Sequence, residues 1–182
     1  MANKTRSLKS TTLVALFAAL TAVLAYVVVP LPFSPVPISG QSLAVMLVGP
    51  VLGRSKALAS MSVYILLGVA GLPVFSGGRA GIGTLLGPTG GYIVGFAAGA
   101  WVTGSLWTRD HKRWRLWLAL VVGGVLVVAT FGAVHLSVVT DIGIRQAIVM
   151  GVLPFIPGDL LKVSVAYWLL ATRSVQRLMR ES

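Results

Sequence analysis

Residues 153–162 read Leu-Pro-Phe-Ile-Pro-Gly-Asp-Leu-Leu-Lys, and the interpretation of the whole chain starts from them. This stretch places the Asp159 carboxylate and the Lys162 ammonium group three residues apart, in an apolar run that continues to Ala171. The sequence has only 4 acidic residues and is 56% hydrophobic, so this pair is unusual. Ionisable groups inside a membrane segment are costly and usually face a cavity, a partner or a substrate. The pair therefore predicts a functional site.

The composition is too apolar for a soluble domain. Of the 182 residues, 10% are charged and 21 are glycine, and the mean hydropathy is +0.90. Because an apolar run of about 20 residues spans a bilayer as a helix, the length allows six spans with short loops. We predict an all-α, polytopic membrane protein with one transmembrane domain over residues 1–182. The lack of cysteine excludes disulfides and thiolate metal sites.

Apolar segments mark the six candidate spans, at about residues 11–29, 41–53, 57–72, 91–107, 116–136 and 158–172. The first segment follows basic residues as a signal peptide does. It reaches Val29 without a small-residue cleavage site, so we expect a retained helix. Four prolines in residues 30–37 exclude a helix there and favour an extended segment. It could be a simple connector, but its apolar composition favours a lid or wall.

Basic residues predict the orientation in the membrane. With six spans and both termini cytoplasmic, only Arg79 and Arg145 face outward and Lys162 lies within the membrane. The other 12 of the 15 basic residues face inward, as the positive-inside rule requires: Lys4, Arg6, Lys9, Arg54, Lys56, Arg109, Lys112, Arg113, Arg115, Arg173, Arg177 and Arg180. This asymmetry explains the net charge of +11 without nucleic acid as a partner. The proline segment, the glycine-rich residues 73–92 and the Asp159–Lys162 pair then lie on the outer side, so we expect a ligand from outside.

The glycine-rich stretch at residues 73–92 allows positive φ angles and a close approach of the backbone to a ligand. A phosphate-binding loop would need Gly-Lys-Ser/Thr after Gly83, and the sequence lacks it. We therefore expect a re-entrant loop over a small-molecule site. His135 has no second histidine or acidic neighbour at ligand spacing, so no metal site is predicted.

The residues alone leave three interpretations of the Asp159–Lys162 pair. Asp159 begins a helix and could serve only as its N-cap. Lys162 lies on the same helix face, so the two could form a neutral pair that serves packing. In the third interpretation, Asp159 accepts hydrogen bonds from N–H donors of a ligand and Lys162 attracts a ligand carboxylate. A ligand with a polar N–H head and an anionic tail suits both groups.

The first span carries a face of small residues, namely Ala15, Ala18, Ala19 and Ala22. Small residues four positions apart let two helices approach closely in lipid. This face predicts either packing against a neighbouring helix of the same chain or docking of a partner membrane subunit.

Four motifs resemble the BioY family, the substrate-binding S components of energy-coupling factor (ECF) vitamin transporters. They read PFSPVPI at residues 32–38, GLPVFSGG at 71–78, LGPTGGY at 86–92 and FIPGDLLK at 155–162, in the order of the family. The resemblance covers nearly the whole chain. It implies a six-helix S component of a prokaryotic plasma membrane that captures biotin from outside. The ureido ring of biotin would supply N–H donors and its valerate the anion.

The resemblance also implies a substrate-binding set, which is Asp159, Lys162, Arg79, Tyr92, Thr89 and Gln41. Asp159 would meet the ureido head and Lys162 the polar or anionic end, while the other four would belong to the walls. Some relatives have Asn at the position of Arg79 and a basic residue at that of Ile93. We therefore hypothesise that Arg79 neutralises the ligand carboxylate here, alone or with Lys162.

A transmembrane coupling subunit and two ABC ATPases are the partners that the family implies, and the alanine face resembles the docking motif of S components. The chain has no Walker motif, so the partners would hydrolyse ATP. No cofactor is implied. A membrane enzyme would need a second acid–base group or a nucleophile–base pair, and the outer-side residues favour binding instead. The alternatives are an autonomous secondary transporter and an S component for another carboxylate-bearing vitamin.

Overall fold

The computed structural model describes residues 2–107 and 113–172, with side chains from residue 8 onward. The described part is mainly helical: α1 (Ala2–Leu24), α2 (Gln41–Leu52), α3 (Arg54–Val69), α4 (Ile82–Leu86), α5 (Gly90–Leu106), α6 (Arg113–Val121), α7 (Val128–Val139), α8 (Ile144–Gly151) and α9 (Ile156–Ala171). A π-helical segment, Val122–Val127, joins α6 to α7, and short 3-10 turns lie at Ser76–Gly78 and Leu153–Phe155. Strands β1 (Val28–Val29) and β2 (Ile38–Ser39) complete the fold.

Two helical runs in the described residues are long and apolar enough to cross a bilayer. These are Arg113–Val139, with mean hydropathy 2.3, and Ile144–Ala171, with mean hydropathy 1.6. Leu8–Leu24 and Gln41–Leu52 are shorter apolar helices. The helical fold class is thus observed, while six spans and cytoplasmic termini stay predictions. Part of the charge pattern behind that topology lies outside the described residues: Arg109, Lys112, Arg173, Arg177 and Arg180.

The first predicted span differs most from the structure. Its helix ends at Leu24, and Val28 and Val29 pair in antiparallel register with Ser39 and Ile38. Valine favours strand over helix, and Pro30 prevents the ladder from continuing, so the apolar run changes conformation before it ends. The proline segment therefore forms the connection of a short hairpin.

The predicted loop before the last span also differs from the structure. Arg145 lies in α8, whereas Asp141 lies in the preceding turn with a positive φ of 53°. The last helix begins at Ile156, two residues before the predicted start at Gly158. This shift places Asp159 inside the first turn of α9.

Helix α5 lies at the centre and packs against α2, α3 and α7. Gly91, Gly95 and Gly99 form one face of this helix. A Cβ atom on Gly91 would lie 2.4 Å from the Phe131 carbonyl oxygen, and one on Gly99 would lie 2.5 Å from that of Gly123. Only a bare backbone permits this contact between helices. This glycine face was not predicted from the sequence, where the small residues of α1 stood out instead.

The alanine face of α1 divides between two environments. Ala18 is 2% exposed and belongs to the core, and Ala22 packs against the core. Ala15 and Ala19 are exposed. Ala18 and Ala22 thus pack within the chain, since α1 presents this side to its own neighbours α2 and α3. Docking of a partner at the alanine face stays a prediction.

Candidate functional site

A cavity lies among the hairpin, α2, α5, the π-helical segment and the start of α9. The space between these elements, counted out to its open mouth, is about 740 Å3. Aliphatic and aromatic side chains form most of the wall. Polar groups reach it from several elements, namely Ser39, Gln41, Ser42, Ser76, Thr89, Tyr92, Asp159 and Lys162.

The centre of the polar wall is a cluster of Asp159, Lys162 and Ser42. The Lys162 ammonium group donates to the Asp159 Oδ1 atom at 3.1 Å and to the Ser42 Oγ atom at 2.9 Å. Ser42 in turn donates to Asp159 Oδ1 at 3.5 Å. The side chains of the ion pair are only 16% and 18% exposed. The cluster therefore joins α2 to α9 and gives the cavity one strongly polar end.

The interpretation of Asp159 as the N-cap of α9 is wrong. Phe155 occupies the capping position, and no side chain hydrogen bonds to the free N–H groups there. Asp159 lies within the first turn, where the helix dipole stabilises a carboxylate, and its side-chain bonds go to Lys162 and Ser42. The carboxylate thus faces the cavity rather than its own backbone.

Gln41 belongs to a chain of hydrogen bonds behind the cavity wall. Its Oε1 atom accepts from Ser39 at 3.1 Å, and its amide nitrogen donates to the Tyr64 hydroxyl. Tyr64 donates to the Val74 carbonyl oxygen at 3.1 Å. This chain connects β2, α2, α3 and the glycine-rich loop, so Gln41 orients the wall as well as lining it.

Tyr92 and Thr89 line the cavity from the start of α5. The Tyr92 hydroxyl donates to the Gly151 carbonyl oxygen at 2.6 Å, and its ring packs edge-to-face against Phe155 with centroids 6.1 Å apart. The Thr89 hydroxyl donates to the Thr84 carbonyl oxygen at 3.5 Å. Because the Tyr92 hydroxyl is engaged, its ring offers a ligand an aromatic surface.

Arg79 is the predicted site residue that the structure leaves apart from the cavity. Its side chain is exposed and does not belong to the lining. Its carbonyl oxygen accepts from the Phe75 N–H at 2.9 Å, which closes a small loop around Gly77 and Gly78. Both glycines have positive φ angles, 71° and 77°, which explains their presence in this turn. The role of Arg79 in neutralising a carboxylate stays a prediction that this arrangement does not support.

His135 has a structural role at the end of the glycine-rich loop. Its Nε2 atom lies 3.1 Å from the Gly87 carbonyl oxygen, and its side chain packs against the backbone of Gly90 and Gly91. Among the described residues, no three His, Cys, Asp or Glu side chains lie together as a metal site. The histidine thus holds the end of the glycine-rich stretch against α7.

Three polar residues of the cavity were not predicted from the sequence, namely Ser39, Ser42 and Ser76. Ser42 stands beside Gln41, and these two are the only polar side chains in α2. A polar residue at the start of an apolar helix could have identified Ser42 from the sequence. Ser76 carried no signal beyond its place in a glycine-rich stretch. Ser42 and Ser76 reach the cavity only because elements distant in the sequence pack together.

The cavity is built for binding rather than for covalent chemistry. Its ionisable lining residues, within the described chain, are Asp159, Lys162 and Tyr92. Asp159 and Lys162 form an ion pair with each other, and Tyr92 donates to a backbone carbonyl oxygen. This set contains no nucleophile activated by a neighbouring base. A polar end and apolar walls suit an amphipathic small molecule.

Comparisons with known proteins agree with this picture. The family model of the BioY family matches residues 1–181. A biotin transporter BioY of Rhizobium etli is 41% identical in an alignment of 169 residues that covers 88% of this chain and 90% of that protein. The biotin transporter BioY of Thermotoga maritima is 38% identical over 151 residues, covering 83% of this chain and 87% of that protein.

A solved structure resembles the whole fold. It is the crystal structure of the S-component for biotin from an ECF-type ABC transporter, and it superposes with a TM-score of 0.88 at 28% sequence identity. The match covers 98% of this chain and 94% of the other. With a family model along nearly its full length and relatives above one third identity, this chain belongs to the BioY family.

Proposed function

We propose that this chain binds biotin in the cavity and serves as the substrate-specific S component of an ECF-type biotin transporter. The observation that carries the proposal is the polar cluster of Asp159, Lys162 and Ser42 at one end of an otherwise apolar cavity. Family membership and the fold shared with a biotin S-component support it. The reaction is capture and transport, without covalent change to the vitamin.

The geometry of the ion pair favours one orientation of biotin. Nζ of Lys162 and Oδ1 of Asp159 are 3.1 Å apart, so the same end of an extended ligand meets both. A ureido edge presents an N–H donor beside a carbonyl acceptor, which complements a carboxylate beside an ammonium group. A ligand carboxylate at this position would instead lie next to the like-charged Asp159. We therefore assign the ureido ring to the cluster and the valerate to the rest of the cavity.

Titration calorimetry of the purified full-length protein with biotin tests the proposal. We expect saturable 1:1 binding of biotin and no binding of carboxylate-bearing vitamins that lack a ureido ring, such as pantothenate or nicotinate. Preferred binding of one of those vitamins would favour an S component of another specificity. No binding of biotin at millimolar concentration would contradict the proposed function.

A comparison of biotin with biotinamide tests the orientation. Biotinamide keeps the ureido ring but has no negative charge. If the ureido ring lies at the cluster of Asp159, Lys162 and Ser42, Lys162→Met should lower the affinities for biotin and biotinamide by the same factor. A loss confined to biotin would place the carboxylate at Lys162 and overturn the assignment.

Our proposal for the partners is a transmembrane coupling subunit with two ABC ATPases, which docks at the exposed Ala15 and Ala19 of α1. Small residues on the outside of a helix permit close approach of another membrane helix. We expect Ala15→Trp to leave biotin affinity unchanged and to block ATP-dependent uptake in vesicles that contain all subunits. Val138→Trp, at an α7 side chain that is 76% exposed, is the matched control.

Two results would contradict this part of the proposal. Normal uptake by the Ala15→Trp protein would show that a partner docks elsewhere. Uptake by wild-type protein in vesicles without any ATPase would instead show autonomous secondary transport.

A further inference from the structure

Ser76 is a half-buried residue of the glycine-rich loop whose hydroxyl group lacks a hydrogen-bond partner. Its Oγ atom is shielded from solvent and has no hydrogen-bond partner, and no other buried side-chain nitrogen or oxygen in the described residues shares this state. The residue lies in the 3-10 turn Ser76–Gly78 and lines the cavity. Buried polar groups are nearly always hydrogen bonded, so this hydroxyl requires an explanation.

The residue before Ser76 anchors the turn to the core. Phe75 is fully buried, and its ring packs edge-to-face against Tyr64 with centroids 5.7 Å apart. The ring also lies against Gly68, where a Cβ atom would approach the Phe75 ring to 2.2 Å. The Phe75 ring thus packs tightly against α3, and this packing determines the position of Ser76, the next residue.

Backbone bonds on the other side hold the turn to the end of α1. The Gly77 N–H donates to the Ala25 carbonyl oxygen at 2.9 Å, and the Tyr26 hydroxyl donates to the Pro73 carbonyl oxygen at 2.7 Å. These bonds are made by the residues on either side of Ser76, and the Ser76 hydroxyl takes part in neither of them. A group held in place before binding loses little freedom when a ligand arrives.

The energetics exclude a role for this hydroxyl in stabilising the fold. A buried hydroxyl without a partner destabilises the folded state, and alanine at this position would avoid that effect. The same group stabilises a complex when a ligand supplies the missing partner. Ser76 lines the same cavity as Asp159 and Lys162, so a molecule bound by those residues is in a position to supply that partner.

We propose that Ser76 is a ligand-binding residue whose hydroxyl group forms a hydrogen bond with a polar group of bound biotin. This inference rests on the proposed function and adds a contact from the glycine-rich loop. It gives that loop a part in recognition through Ser76, while the charged contacts come from α9.

Two measurements on the Ser76→Ala protein test the inference. Calorimetry should show biotin affinity reduced about three- to tenfold, because one hydrogen bond is lost. The melting temperature of the ligand-free protein should be unchanged or higher, since no internal bond is removed. The matched control is Ser164→Ala, at an exposed serine whose hydroxyl bonds to the Leu160 carbonyl oxygen at 2.9 Å. This control should bind biotin like the wild type.

Either of two results would overturn the inference. Wild-type affinity in the Ser76→Ala protein would show that the ligand does not use the hydroxyl. A clear fall in melting temperature would show that the hydroxyl stabilises the fold instead. Failure of the proposed function is distinct from both, because it appears as absence of biotin binding in the wild-type protein.

Discussion

The start of α9 and the glycine-rich loop both contribute to the cavity, but they are held in place in opposite ways. At the start of α9, Asp159 and Lys162 bond to each other and to Ser42 inside the cavity. In the loop, main-chain groups bond to α3 and to the residues just after α1, and the Ser76 hydroxyl is left without a partner. Helix α9 therefore supplies the charged groups of the cavity, and the loop supplies a neutral hydroxyl group that has no internal hydrogen bond.

This difference indicates which residues should contribute most to the affinity for a ligand. Asp159, Lys162 and Ser42 hydrogen bond to one another, so they hold the polar end of the cavity in one geometry and present a matched donor and acceptor to a ligand. The loop cation Arg79 lies outside the lining and adds no charge there, and Ile93 on α5 is apolar. Variants at these positions should consequently affect affinity in a definite order.

We expect the largest effect from Lys162→Met, which removes the cation from the cluster. Biotin affinity should fall about a hundredfold or more, because the ligand loses a charged donor and Asp159 is left unpaired in a partly buried site. Calorimetry checks this result. Arg145→Met removes an exposed cation on α8 and should leave affinity unchanged. Equal losses in both variants would indicate a general effect of charge, unrelated to the cluster.

Ser42→Ala should have a smaller effect. Lys162 keeps its bond to Asp159 but loses the acceptor at 2.9 Å. We expect affinity to fall about three- to tenfold, the usual range for one hydrogen bond. The control is Ser105→Ala, whose hydroxyl bonds within its own helix to the Trp101 carbonyl oxygen. A loss as large as that of Lys162→Met would show that Ser42 orients the whole cluster.

Arg79→Ala should have the smallest effect. Its exposed side chain lies outside the cavity, so biotin affinity should change by less than about twofold, within the usual effect of surface substitutions. Titration of biotin and biotinamide with this variant provides the check. A loss above tenfold, seen with biotin alone, would show that the loop moves on binding and brings Arg79 to the carboxylate. That result would restore the hypothesis drawn from the sequence.

Much of the candidate site could be predicted from the sequence. Asp159 and Lys162 were recognisable because charges are rare in an apolar chain, and their spacing puts them on one helix face. Motif resemblance added Gln41, Thr89 and Tyr92, which do line the cavity. The place of Arg79 outside the lining was not predictable, because a glycine-rich turn directs its side chain through dihedral angles that the residue types do not specify.

The sequence is sufficient to predict the helical class, the proline break, the position of the ion pair and the family, since these depend on local composition, spacing and motifs. Which side chains meet in space depends on how the helices pack. Ser42 and Lys162 are 120 positions apart and bond because α2 and α9 pack together. Ala15 is exposed while Ala18 is buried, because the rotation of α1 against its neighbours selects one side of the helix. Helix rotation and packing depend on many contacts at once, and no local pattern encodes them.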